Sequence, residues 1–205
     1  MDNRISPIFA SIYIFMKKAY LFIAAVSMFA IGCDKIEDLA KIEKDLDFTQ
    51  TVDVPGLPNG ADSLAQGQVV RGDFPIMAIE TKSKEFLEGE GSAANPDAVE
   101  HVKLSKFKAS VLMPANGDFD YVDSIYVFLS AKGLSEIKIA SKTSVAKGSK
   151  SIDFDCNSDN LKEYFLKDTM YVRMGGKFVG APDSGSRLEI KPTFNVKANL
   201  LKAAK

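Results

Sequence analysis

"RLEIKPTFNVKANL", residues 187–200, sets the fold class of this chain by its period. Leu188, Ile190, Phe194, Val196, Ala198 and Leu200 fall on one phase; Arg187, Glu189, Lys191, Thr193, Asn195, Lys197 and Asn199 fall on the other. A period of two is that of a β-strand with one buried and one wet face. Pro192 sits on the apolar phase and predicts a bend or an edge position, because it cannot donate to a ladder.

Working outward, the same texture recurs. Residues 107–114 (FKASVLMP) place Phe107, Ala109, Val111 and Met113 on one face. Residues 123–131 (DSIYVFLSA) place Ile125, Val127, Leu129 and Ala131 on one face and Tyr126 and Phe128 on the other, as in a central strand. Residues 48–54, 69–80, 136–146 and 151–155 also read as strands, with Pro75 confining the second to an edge or a bulge. Residues 169–180 (TMYVRMGGKFVG) form either a hairpin around Gly175-Gly176 or one strand bulged there. A helical turn is expected within 82–90. A short helix is expected within 157–168, capped by Asn157, Ser158 or Asn160. Residues 55–68 and 91–96 read as loops. Roughly seven to nine short strands predict a mainly β fold, an immunoglobulin-like antiparallel β-sandwich with one or two short helices. A closed barrel is the rival.

The chain has 205 residues, net charge −1, one histidine and two cysteines. A near-neutral, slightly acidic chain offers no clustered cationic footprint, so no nucleic-acid partner is expected. One histidine removes His-rich zinc sites and leaves only His101 for any Ser-His-Asp triad. His101 lies in AVEHVKLSKF (98–107), which reads as a solvated loop. Cys156 lacks a recognisable base or cation and reads as a small residue at a strand end.

The amino-terminal region follows a different logic. Met16-Lys17-Lys18 precedes thirteen mostly apolar residues, Ala19–Ile31, a charged n-region followed by an apolar h-region. The run is shorter than the roughly 20 residues a bilayer-spanning helix needs. It ends in Ala30-Ile31-Gly32-Cys33, small residues ahead of a cysteine. This order resembles the lipobox of bacterial lipoproteins, with Ala30 where leucine is commonest. The resemblance implies a diacylglycerol joined to the Cys33 thiol, cleavage just before that residue, and attachment to a membrane through the lipid. Two or more acyl chains would hold a soluble domain at a surface nearly permanently.

The expected organisation is therefore a signal peptide over 1–32, with 1–15 an upstream extension ahead of a start at Met16. A lipidated tether or amphipathic helix over 33–47 and a β-sandwich domain over 48–205 follow. The body is also similar to β-sandwich lipoproteins of Gram-negative envelopes. Asp34 points to inner-membrane retention in some lineages, whereas Glu37-Asp38 accompanies surface export in others. The expected place is the Gram-negative cell envelope, at the outer rather than the inner membrane.

For chemistry, Asn116, Asp118, Asp120 and Asp123 resemble the first half of a calcium loop. Tyr121 in place of the sixth-position glycine and Val127 in place of the twelfth-position glutamate exclude an EF-hand. The stretch reads as an Asn-Gly turn with solvated aspartates, so no metal or other cofactor is expected beyond the Cys33 lipid. Tyr121, Tyr126, Phe128 and Tyr171 are candidates for stacking on sugars. The functional expectation is a non-enzymatic, lipid-anchored envelope protein binding a protein or a glycan, or serving as a structural subunit. Two alternatives stand beside it. A carboxylate-dependent glycan hydrolase needs two close acids of raised pKa. A carrier of a small apolar ligand needs a barrel with an unfilled interior.

Overall fold

The computed structural model describes residues 40–54, 69–90, 95–180, 182 and 185–204. The signal-peptide and lipobox expectations, with Ala30, Ile31, Gly32 and Cys33, and the loop 55–68 lie outside the described residues. Among the described residues the strands, in chain order, are β1 (Lys41–Asp47), β2 (Gln50–Asp53), β3 (Val70–Asp73), β4 (Met77–Glu80), β5 (Val99–Met113) and β6 (Val122–Ala131). They continue with β7 (Leu134–Lys142), β8 (Ser151–Asp153), β9 (Asp155–Cys156), β10 (Thr169–Phe178) and β11 (Arg187–Asn199). Two short helices, α1 (Ser83–Gly89) and α2 (Lys162–Phe165), interrupt them. Among the described residues no helix is long and apolar enough to cross a membrane.

The strands form two antiparallel sheets. Sheet A runs β1/β2, β11, β5, β8; sheet B runs β3/β4, β10, β6, β7, β9. One hydrophobic core joins them: Phe194, Val196, Phe107 and Leu104 enter from sheet A, and Val127, Leu129, Val172 and Met174 from sheet B. The mainly β sandwich expected from the strand rhythm is what the chain forms, and two separate sheets set aside the closed barrel. The Leu188-to-Ala198 alternation holds, with each apolar residue of that phase buried. Rings meet edge-to-face, Phe107 on Phe154 at 5.0 Å and Phe48 on Phe194 at 5.8 Å between centroids, a geometry aromatic quadrupoles favour.

Pro192 corrects one expectation. It lies in β11, an interior strand, and is buried. Its carbonyl accepts from Phe48 N at 3.0 Å. The reciprocal bond needs an N–H that proline lacks. The ladder beside β11 is broken there, and the break is the gap between β1 and β2. The bend expected of Pro192 thus falls on its neighbour. Pro75 behaves as expected: β3 and β4 both lie on β10 at an edge of sheet B, and their registers differ by one residue across it.

A second correction concerns residues 33–47. The part read as tether or helix over 41–47 is strand β1, so the sheet begins ahead of the expected boundary at 48. Ile42 and Leu46, four apart, fit one helical turn and two strand repeats equally well. Partners decide between them: Asp47, Asp45 and Glu43 meet Thr193 (2.6 Å), Asn195 (2.9 Å) and Lys197 (3.1 Å) in turn, the order of antiparallel neighbours. Tertiary pairing overrides local propensity here.

The third correction is β5. It begins at Val99, so His101 is a half-buried strand residue opposite Lys197 and not part of a loop. Register shifts against β11 leave Glu100, Ser105 and Leu112 as extra residues. Each bulge shifts the apolar phase by one, which is why the run Val99, Val102, Leu104, Phe107, Ala109 does not read as an alternation.

Candidate functional site

Sheet B turns its polar side outward along β10, where Tyr171, Arg173, Gly175 and Lys177 occupy alternate positions. The single-strand reading of residues 169–180 holds; a register shift between Lys177 and Phe178 places the irregularity just after the glycines. Gly176 faces Ile125 of β6, and a Cβ there would drive into the Ser124 carbonyl and the Ile125 backbone. Gly175, between Asp73 of β3 and Tyr126 of β6, adds no side chain to the outer face. Neighbouring side chains therefore wall a trough of about 590 Å³.

Its walls are chemically distinct. On β6, Tyr126 and Phe128 point outward and are half-buried. On β10, Arg173 lies over the Phe128 ring, its guanidinium carbon 4.3 Å from the centroid, within reach of a cation–π interaction. Its Nε and Nη2 donate to Glu136 of β7 at 3.0 and 2.6 Å, and its Nη1 donates to Asp73. This two-toothed carboxylate pairing fixes the plane of the guanidinium. The hydrogen bonds from Arg173 hold the Glu136 carboxyl below the ordinary carboxylate range against a small opposing cost of burial. The same pairing raises the already high pKa of Arg173. Lys138 Nζ lies 5.8 Å from the Tyr126 centroid, and Arg71 and Lys177 close one end of the trough.

Of the four expected stacking residues, the structure brings Tyr126 and Phe128 together here. Tyr171 is on the same face, 41% exposed, opposite Ser130 and Ala78. Tyr121 is elsewhere, its ring stacked on Phe178 at 6.3 Å in the core. Arg71, Asp73, Glu136, Arg173 and Lys177 were missed by sequence reasoning, since they come from three strands far apart in the chain. Their one local signal was the alternation along β10, obscured while Gly175-Gly176 also read as a hairpin turn.

The other candidates have structural explanations. The Asp118 carboxylate accepts from Asp120 N at 3.0 Å, and the Asp120 carboxylate accepts from Gly148 N. Asp123 is the extra residue of a bulge in β6. Asn116 lies in the turn between β5 and β6. Among the described residues no three His, Cys, Asp or Glu side chains converge as metal ligands would. Cys156 ends β9 opposite Ala140; burial and then Asp155 push its thiol up, so it is not primed to ionise. Asp73, which lines the trough, and Glu136, which lies beyond it, both pair with Arg173. A Glu136 held below its ordinary range is a poor proton donor, the opposite of what glycoside cleavage asks of its acid. The core between the sheets is filled by Phe107, Phe119, Phe194, Ile125 and Leu129, where a carrier would need a cavity.

No protein-family model matches this chain, and no curated protein matches it. Solved structures similar to it include a decameric BFDV capsid protein (10% identity, covering 78% of this chain and 99% of that one, TM-score 0.41). Another is a module of Clostridium perfringens, CpGH89CBM32-5, in complex with GalNAc-β-1,3-galactose (12% identity, 75% and 94% covered, TM-score 0.26). A third is Desmodium yellow mottle tymovirus (14% identity, 80% and 93% covered, TM-score 0.23). TM-scores this low carry no argument about ancestry or activity.

Proposed function

We propose that this chain is a non-enzymatic, lipid-anchored protein of a Gram-negative cell envelope that binds a saccharide through the outer face of sheet B. The observation that carries the reading is the trough floored by Gly175, where the rings of Tyr126 and Phe128 adjoin the fixed guanidinium of Arg173. Sugar rings present apolar C–H faces edged by hydroxyls. An aromatic surface takes the first and a planar five-donor cation the second. Binding sites combine apolar surface with placed polar groups; in this trough two rings sit among four charged side chains, Arg71, Asp73, Arg173 and Lys177. The Ala30-Ile31-Gly32-Cys33 sequence supports a lipid on Cys33, which would present the sandwich at a membrane surface.

The test is one preparation read two ways. Protein is purified in detergent from cells fed a fatty-acid probe and applied to an immobilised panel of envelope and plant-type oligosaccharides. Wild type is expected to carry the label and retain at least one saccharide. Cys33→Ala is expected to lose the label, and Tyr126→Ala to lose at least tenfold in affinity while keeping the label. Label surviving in Cys33→Ala defeats the anchor, and saccharide binding unchanged in Tyr126→Ala defeats the site.

A further inference from the structure

We infer that the saccharide is anionic, and that Arg71 and Lys177 receive a carboxylate of a uronic-acid unit whose ring lies on Tyr126. The inference rests on the reading of this face as a saccharide site and adds the charge of the ligand.

Arg71 and Lys177 are direct cross-strand partners on β3 and β10. Like charges directly opposite on one face repel and cost stability relative to neutral residues. Among the described residues neither finds a carboxylate within ion-pair distance; Asp73 in the trough and Glu136 beyond it are both taken by Arg173. A facing lysine pair in sheet A, Lys108 and Lys191, is handled differently: Lys108 has Asp153 at 3.8 Å and Lys191 has Glu189 at 2.7 Å. Sheet A thus supplies partners for its repelling pair, while sheet B leaves its pair open at the end of a trough. An arriving anion would remove that repulsion on binding.

Position sets the class of ligand. Gly175 faces Tyr126, so Lys177, two residues on, lies diagonal to the ring, about 7–8 Å away in a regular antiparallel sheet. Between them Gly175 provides no side chain of its own, and the Asp73 carboxylate, neutralised by Arg173, lies over it. A ring on Tyr126 would lie beside this Asp73–Arg173 pair, with its acidic substituent directed past it to the cations. A carboxylate suits the fork of Arg71, with Lys177 as a point charge beside it.

The experiment is calorimetric titration of the full, detergent-solubilised protein with a galacturonic-acid trisaccharide, its neutral galactose counterpart, and an oligothymidylate of similar charge. The acidic trisaccharide is expected to bind at least tenfold more tightly than the neutral one at low salt, with the difference shrinking as salt rises. Lys177→Gln and Arg71→Gln are each expected to remove most of that difference, lowering affinity for the acidic trisaccharide by far more than for the neutral one. Tyr126→Ala is expected to weaken both trisaccharides. Equal binding of the two trisaccharides, or a preference untouched by both charge variants, overturns the inference; a Tyr126→Ala loss then leaves the saccharide site itself standing. Oligothymidylate binding as tightly as the acidic trisaccharide overturns it in favour of a general polyanion surface. Failure of every saccharide to bind overturns the site and the inference together.

Discussion

Arg173 answers three groups at once: the Phe128 ring beneath it, Glu136 on one side and Asp73 on the other. Each contact is modest for a group near water, since exposed ion pairs contribute about 0–1 kcal/mol. Their joint effect is orientation, a guanidinium plane held in register with two rings. The Glu136 carboxyl is depressed by Arg173 from its ordinary 4.5, so its pairing stabilises the fold above that value. The contribution is lost as pH falls through the lower, folded-state value. Acid unfolding followed by circular dichroism should therefore show Glu136→Gln less stable than wild type near neutral pH, by at most about 1 kcal/mol given its exposure. The two curves should converge below the ordinary carboxylate range. A gap that persists at low pH would mean that Glu136 contributes by packing and not by charge. At this scale the sequence was half legible. Tyr126 and Phe128 stood out because a strand apolar on one face carried rings on the other. Asp73 and Glu136 could not be assigned, because nothing local distinguishes an acid opposite an arginine from an acid in solvent.

Among the elements, β10 depends most on residue identity. Gly176 lets β10 approach β6 closely, and a side chain there meets backbone that cannot turn aside. Gly176→Ala should cost about 1–3 kcal/mol, the range of overpacked sites, in denaturant titrations. Gly89→Ala at the end of α1 is the control, since nothing lies within 4 Å of its added Cβ; it should be neutral or gain up to about 1 kcal/mol. Equal effects at the two positions would mean that the β10–β6 spacing adjusts. The same scale explains where sequence reading stopped. β11 and β6 were legible because their alternation is unbroken over long runs. β5 was legible only from Phe107, because its bulges reset the phase at Glu100 and Ser105. β1 was misread because Ile42 and Leu46 satisfy both periods, and only pairing with β11 decides. The N-cap of α2 is Leu161, which makes no side-chain capping bond; Asn160, one of the expected caps, lies one residue ahead, its side-chain oxygen accepting from Lys162 N at 3.1 Å. It also accepts from Val102 N at 3.1 Å, tying α2 to β5.

Across the whole molecule the two sheets have separate duties. Sheet A closes one side of the core, with its facing charges largely paired to each other: Lys197 with Glu43, Arg187 with Asp53, Lys108 with Asp153. Sheet B closes the other side and carries, outward, the trough and its unmatched cations. The chain passes between them at Phe154, whose N–H donates to the Phe107 carbonyl at 3.0 Å between β8 and β9. Phe154 is buried, so this crossing, one of several between the sheets, runs beside the core. Most of the fold class could be read from the strand rhythm; the site could not, because a face is a property of several strands in register. The most direct measurement of the central claim is the map of backbone amide shifts in an NMR titration of the protein with the galacturonic-acid trisaccharide. Perturbations are expected along Arg71–Asp73, Tyr126–Phe128 and Arg173–Lys177, with sheet A unmoved. Shifts concentrated on sheet A, or on the loops at the ends of the sandwich, would contradict it.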